Sequence, residues 1–211
     1  VSTERALLLK PNEPKVTLQR INCFFALDRM TEGQALLIKL AANNLNGLAI
    51  NTTNEQVDIL DKTAMLLTSV DLHDEALQQY KQAILITPSN AALYYNLATA
   101  LRFLGKTSLA VDALDECLSI NPLDFEAQGM RSSLTKQTID DNHIEQLKAL
   151  LVNNALPSEG RININFALAK ECDDVDQTEL SFKFLKEGTK LRRQQMSYKV
   201  AVDTEIITAI K

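Results

Sequence analysis

The 211-residue sequence has no tryptophan, only 6 glycines and only 5 prolines. Flexible linkers are rich in glycine, serine or proline, so this composition leaves no segment that would divide the chain. Hydrophobic residues make up 45% of the sequence and charged residues 23%, which supplies enough apolar material for an ordered core. We therefore expect an ordered chain, either one globular unit or one elongated array.

Cysteine pairs, excess positive charge and long apolar runs are also missing. The three cysteines form no CxxC spacing, which disfavours disulfides and a zinc site. Lysine and arginine number 22 against 27 aspartates and glutamates, and the net charge of −5 disfavours nucleic acid as a partner. Without a run of about eighteen apolar residues or a signal-peptide pattern, we expect no membrane contact and a cytoplasmic location.

Residues that could support catalysis or hold a metal are sparse. The only histidines, His73 and His143, lie 70 residues apart, and neither stands at ligand spacing from a cysteine or a carboxylate. The sequence contains no G-x-S-x-G, H-E-x-x-H or G-x-x-x-x-G-K-[ST] motif. We expect no cofactor, no metal and no catalysis by this chain alone, with both histidines at the surface or at helix ends.

An acidic cluster between Glu171 and Glu179 superficially resembles an EF-hand calcium loop, which would begin at Asp174. However, Glu179 stands where that loop needs glycine, and Leu185 stands where it needs a bidentate carboxylate. We instead expect Asp176 and Glu179 to form a capping box at the start of a helix, with the remaining acids solvated.

An internal repeat of 34 residues organises the sequence. It relates four pairs of positions, namely Ala76 and Ala110, Tyr80 and Leu114, Ala83 and Cys117, and Pro88 and Pro122. Within one repeat, a helical stripe of apolar residues at i, i+3, i+4 and i+7 runs from Tyr94 to Leu101. A second stripe runs from Ala110 to Leu118, after Gly105 has ended the first helix. The repeat therefore predicts pairs of helices that approach closely at small residues.

These spacings resemble the tetratricopeptide repeat (TPR) family, which places large, small and aromatic residues and a proline at the same intervals. Residues 57–90 and 91–124 carry the pattern, with Thr63 where the family prefers a large residue. The resemblance implies an all-α fold, a right-handed superhelical solenoid of antiparallel helix pairs with about ten helices. It also implies a scaffold that binds a protein or a peptide in its concave groove.

Less regular units are predicted on either side of this pair. Two further units would complete an array over 57–195, one at about 125–161 with a three-residue insertion and one at 162–195. In the second of these, Leu185 would take the packing position that Tyr80 has in its own unit. Residues 1–56 would form degenerate helical hairpins, truncated at the N-terminus because the chain opens at a valine. Residues 196–211 would form a capping helix, at about 198–210.

The groove of such an array is lined by helix residues that the packing stripe does not use. Four of them, Tyr95, Asn96, Thr99 and Arg102, lie on or beside one such stripe, and Lys62 and Lys170 would contribute from neighbouring units. Tyrosine and arginine are frequent energetic anchors of interfaces, and asparagine can bond a peptide backbone. We predict that these six residues form the partner-binding groove.

A basic strip near the end of the sequence has two interpretations. It comprises Lys183, Lys186, Lys190, Arg192, Arg193 and Lys199, with only Glu187 as a nearby acid. A solvated face late in a helix would suit the helix macrodipole. Alternatively, the strip is a dock for an acidic partner or a neighbouring domain.

A more particular resemblance covers residues 57–211. The segment from Pro157 to Lys170, followed by Phe184-Leu185-Lys186, the pair Arg192-Arg193 and Tyr198, is similar to the end of the repeat region in bacterial TPR sulfotransferases. This resemblance implies a sulfotransferase domain in the same polypeptide, to which the repeats would present the acceptor. The phosphosulfate-binding loop of that family is absent from this sequence, so no sulfate transfer is expected here.

Overall fold

A computed structural model describes residues 13–43, 52–152, 156–196 and 208–209. Within these residues it contains ten bounded α-helices and no strand, which confirms the prediction of an all-α fold. The helices are α1 (Pro14–Ala26), α2 (Met30–Ala42), α3 (Thr53–Ser69), α4 (His73–Ile86), α5 (Ala91–Phe103), α6 (Thr107–Ile120), α7 (Phe125–Leu134), α8 (Ile144–Val152), α9 (Ser158–Asp174) and α10 (Thr178–Gln195). Among the described residues, no helix combines the length and apolarity needed to cross a bilayer.

The chain divides into two compact units, Val1–Pro122 and Leu123–Lys211, which corrects the expectation that nothing divides it. In the first unit, α1 packs on α2, α3 on α4, and α5 on α6, and α5 also packs on α4. In the second unit, α9 packs against α7, α8 and α10. The repeat boundaries proposed from the sequence stay a prediction. Of the predicted degenerate hairpins at 1–56, residues 1–12 and 44–51 fall outside the described residues. The expected capping helix at 198–210 also falls outside them, except for residues 208–209.

Small side chains allow the helix pairs of the first unit to approach closely. Ala64, Ala76, Ala98 and Ala110 are all fully buried, as the 34-residue spacing predicts. Thr63 is also buried, and its hydroxyl donates to the Ile59 carbonyl at 2.7 Å. This bond satisfies the polar group that the sequence places at a position where the family prefers a large apolar residue.

Helix α5 has clear start and stop signals. The Asn90 side chain accepts a hydrogen bond from the backbone N–H of Ala92 at 3.2 Å, as an N-cap residue does. At the other end Gly105 has φ 68°, and the Lys106 N–H donates to the Leu101 carbonyl at 2.9 Å. This is a Schellman turn, which reverses the chain into α6.

The same turn ends three other helices, and there aspartate takes the left-handed position. Asp28, Asp71 and Asp176 have φ values of 59°, 63° and 60°. The predicted capping box of Asp176 and Glu179 is therefore wrong. Asp176 lies in the turn that ends α9. Helix α10 begins at Thr178, and its N-cap residue, Gln177, makes no side-chain hydrogen bond.

The second unit has a core formed by α8, α9 and the loop that precedes α9. Its buried residues include Ile144, Leu147, Leu156, Ile164 and Leu168. Helix α10 contributes Phe184 rather than Leu185, which is 45% exposed. The prediction that Leu185 occupies the packing position of Tyr80 is thus wrong in this structure. Tyr80 is 2% exposed because α5 packs against its helix. Helix α10 is the last helix with defined ends among the described residues, which include no such later helix to cover Leu185.

Candidate functional site

The predicted groove residues of the first unit lie on α5, beside a matching set on α3. Tyr95, Asn96 and Thr99 are half-buried, and Arg102 is exposed. On α3, helical spacing of three and four residues aligns Asp58, Asp61, Lys62 and Met65. We name the combined set the α3–α5 surface. It comprises Asp58, Asp61, Lys62, Met65, Tyr95, Asn96, Thr99, Arg102 and Phe103.

A hydrogen bond joins the two helices of the α3–α5 surface. The Asn96 side-chain amide donates to Asp61 Oδ1 at 3.0 Å. Burial raises the pKa of Asp61 above its ordinary value, and the bond from Asn96 offsets only part of that effect. The described residues provide no second bond for the Asn96 amide, so one N–H and the carbonyl oxygen are left to meet a ligand.

Two other groups of the α3–α5 surface make local bonds. Lys62 forms an ion pair with Asp58 at 2.8 Å, and both side chains are about half exposed. Ion pairs of this kind contribute little to stability, so the partners can exchange for a ligand at small cost. The Thr99 hydroxyl donates to the Tyr95 carbonyl at 3.1 Å, which holds it against its own helix.

One end of the α3–α5 surface carries a stack that was not predicted from the sequence. The Arg102 guanidinium lies 5.1 Å from the centroid of the Phe103 ring. Phe103 is 57% exposed and stacks on His73 with centroids 5.0 Å apart and planes 4° apart. His73 begins α4 and Phe103 ends α5, so the two rings come from neighbouring helices. An exposed aromatic ring beside an arginine is a common anchor in protein interfaces.

Lys170 lies in the second unit, on α9. Its ammonium bonds to the Asp174 carboxylate at 2.5 Å and to the backbone carbonyl of Thr135. Asp174 also accepts the Gln137 N–H at 2.8 Å. These bonds fasten the loop after α7 to α9, so the structure gives Lys170 a supporting role within its own unit.

A buried carboxylate ties three segments of the second unit together. Glu171 on α9 is fully buried and accepts the Ser132 hydroxyl at 2.5 Å and the His143 N–H at 2.7 Å. His143 Nδ1 lies 3.3 Å from the same carboxylate. Burial alone would raise the pKa of Glu171, but the bonds from His143 and Ser132 outweigh it, and the pKa falls below its ordinary value.

Glu171 corrects the expectation that the acids outside the capping box are solvated. Its position one turn before the end of α9 gave no signal of burial, because its partners Ser132 and His143 are distant in the sequence. The Ser132 hydroxyl donates to the carboxylate and not to the imidazole, which differs from the order of a nucleophilic triad. The hydrogen bonds of this cluster therefore hold three segments of the second unit together.

Metal-binding clusters are not evident in the described part of the chain. It contains no group of three or more histidine, cysteine, aspartate or glutamate side chains placed to hold an ion. Asp174 instead makes the loop contacts given above.

Comparison with known families identifies the repeats. A TPR repeat model matches residues 73–105, which span α4 and α5, and a second tetratricopeptide repeat model matches residues 91–122, which span α5 and α6. A search of curated proteins finds no match. Because both family models describe repeats alone, the resemblance to bacterial TPR sulfotransferases is not supported by these comparisons.

Solved structures with the same fold agree with the family models. A fragment of MamA from Desulfovibrio magneticus RS-1, from residue 41 to the end, aligns with a TM-score of 0.61 at 15% identity, covering 87% of this chain and 97% of the fragment. YrrB, a TPR protein with an unusual peptide-binding site, aligns with a TM-score of 0.57 at 15% identity, covering 93% and 95%. BtubC (BKLC) from P. vanneervenii aligns with a TM-score of 0.63 at 14% identity, covering 94% and 89%. The chain is therefore an all-α protein that contains tetratricopeptide repeats.

Proposed function

We propose that the chain is a scaffold that binds a protein partner through a peptide segment laid on the α3–α5 surface. The observation that carries this proposal is the bond between Asn96 and Asp61, which joins α3 and α5 into one polar stripe flanked by exposed anchors. Repeat arrays commonly use such faces for partner binding. The peptide-binding site named for YrrB, which has the same fold, supports the same class of function.

The chemistry of the surface indicates what the peptide contains. Met65 and Phe103 are 52% and 57% exposed and offer adaptable apolar contacts near opposite charges. Arg102 would meet an acidic group of the peptide, and Asp58 would meet a basic one. Asn96 would bond the peptide backbone with its remaining amide groups. Lys170 is left out of the proposed surface because Asp174 and Thr135 already hold its ammonium.

Selection of binding peptides from a displayed random library, followed by affinity measurement on variants, tests the proposal. Tyr95→Ala and Arg102→Ala should each weaken a selected peptide by about 1 to 2 kcal/mol, because interface energy concentrates in such anchors. Lys81→Ala is the matched control, since Lys81 is exposed on α4 and lies outside the α3–α5 surface.

Circular dichroism should show that all three variants keep the helical content of the parent chain. Undiminished binding by both Tyr95→Ala and Arg102→Ala would discard the α3–α5 surface as the binding site. A loss of the same size in Lys81→Ala would show that the effect is general electrostatics.

A further inference from the structure

A cavity of about 670 Å³ lies among α8, α9 and α10 in the second unit. Its rim carries four cations, Arg161, Lys183, Lys186 and Lys190, against a single acid, Glu187. The volume falls within the range of about 300 to 1,000 Å³ that is usual for ligand sites. The cavity belongs to a different unit from the α3–α5 surface, and its charge is mainly positive.

The lysines of this cavity stand on one face of α10. Lys183, Lys186 and Lys190 are spaced at i, i+3 and i+7, so neighbouring ammonium groups repel each other. Glu187 lies 3.8 Å from Lys190 and offsets part of that charge. Lys183 and Lys186 have no carboxylate partner within the described residues. Such a face is destabilising unless an anion meets it.

The helix macrodipole does not account for these lysines. Its attraction for cations is confined to the last turn of a helix. Helix α10 ends at Gln195, and the basic residues of its last turn are Arg192 and Arg193. Lys183 and Lys186 lie more than two turns before Gln195, so the macrodipole explains the two arginines but not these two lysines.

The walls of the cavity are apolar and firmly placed. Phe184 packs against the core of the unit, and Leu151 and Leu191 line the same space. The Arg161 guanidinium donates to the Leu151 carbonyl at 2.9 Å, which fixes both groups at the end of α8. A ligand that fills this site therefore needs an apolar group for the walls as well as negative charge for the rim.

We propose that this cavity binds an acidic peptide segment that carries one large apolar side chain and belongs to a partner protein. Nucleic acid and an anionic bilayer fit less well, because the whole chain carries −5 and the cations surround a concavity and not a flat face. A small inorganic anion would leave the apolar walls unused. The proposal does not depend on the α3–α5 surface.

The test uses the full 211-residue chain and a labelled probe peptide, Asp-Glu-Phe-Asp-Glu. Fluorescence anisotropy should show saturable binding that weakens as salt is added. One control peptide replaces the acids by Asn and Gln, and the other replaces the Phe by Ser. Each should bind at least about tenfold more weakly, because the first loses its charge for the rim and the second loses its apolar group for the walls. Equal binding by either control would overturn the proposal.

Protein variants locate the site. The double substitution K183E/K186E should weaken the probe by about tenfold or more, because it reverses the charge of the rim. The double substitution K136E/R192E changes the net charge equally at exposed residues that do not line the cavity. It should alter binding by less than about twofold, since isolated surface charges contribute little. Equal losses in the two variants would overturn the proposal.

Other occupants give distinct results in the same assay. If the probe fails to bind, and the chain captures phosphatidylserine vesicles in a way that K183E/K186E abolishes, the ligand of the cavity is a lipid surface. This result would overturn the peptide proposal. The sequence also contains Asp203 and Glu205 close to Ile206. If the probe binds the D203N/E205Q variant but not the parent chain, the chain's own acids fill the cavity. That result would overturn the assignment to a partner.

Discussion

At the residue scale, Glu171 shows how one buried charge can be stabilising. An ionised carboxylate without partners is costly in an apolar core. Glu171 is fully buried, but it accepts hydrogen bonds from the Ser132 side chain and the His143 backbone. The bond to His143 also satisfies an N–H at the start of α8, where the helix has no backbone acceptor to offer. Three segments of the second unit therefore depend on one side chain.

Replacing Glu171 by glutamine tests this role. One of the two oxygens becomes an N–H₂ group that faces a donor, so we expect Glu171→Gln to lower the free energy of unfolding by about 1 to 3 kcal/mol at pH 7. Because the folded-state pKa lies below the ordinary value of 4.5, the stabilisation by Glu171 is complete above about pH 4.5. It is lost as the pH falls through the lower folded-state value. Urea denaturation at several pH values would measure both effects.

Asp61 provides a matched control, because its pKa is shifted in the direction opposite to that of Glu171. Burial raises its pKa, so its ionised form is disfavoured by folding at neutral pH. Asp61→Asn keeps an oxygen that can accept from Asn96 and removes the charge, and it should not destabilise the chain at pH 7. A parallel loss of stability in both variants, with no dependence on pH in Glu171→Gln, would contradict the account.

At the element scale, the turns between paired helices have a common construction. Each of four turns places one residue in the left-handed region, and Gly105 is the only glycine among them. The other three positions, Asp28, Asp71 and Asp176, show that aspartate can serve because its short side chain tolerates this conformation. The chain direction is thus reversed by the backbone even where the sequence lacks glycine.

Replacing Asp176 by glycine should therefore stabilise the second unit. Relief of the left-handed strain exceeds the extra entropy of glycine in the unfolded chain, and we expect a gain of roughly 0.5 to 1 kcal/mol. Asp173→Gly is the control, because Asp173 is an exposed residue in the last turn of α9 and glycine there should destabilise. Thermal unfolding followed by circular dichroism measures the two shifts. Equal shifts of the same sign would show that Asp176 is not strained.

At the scale of the whole molecule, the regular repeats could be predicted from the sequence because their packing is local. The buried alanines at 64, 76, 98 and 110 recur with the period that the fold requires. The tie at Glu171 and the stack of Phe103 on His73 join residues from different helices, and no single periodic pattern reports such pairs. Repeat position alone places Leu185 in the core, because it carries no information on which helix covers that residue.

The proposed division of roles between the two units follows from their surfaces. The α3–α5 surface mixes both signs of charge with exposed Met65 and Phe103, whereas the cavity among α8, α9 and α10 presents mainly lysine. Mixed surfaces can recognise an extended peptide along its length, and a cationic cavity can recognise one acidic segment. The two sites are therefore separable by substitution, which makes the main proposal testable by itself.

The most direct test maps where a selected peptide contacts the chain. A peptide is selected against the K183E/K186E variant, so that the cavity does not compete, and is titrated into the ¹⁵N-labelled protein. The account predicts amide chemical-shift changes concentrated in α3 between Asp58 and Met65 and in α5 between Tyr95 and Phe103. Changes confined to α4 and α6, or persisting unaltered in Arg102→Ala, would contradict the central claim that the α3–α5 surface binds the partner.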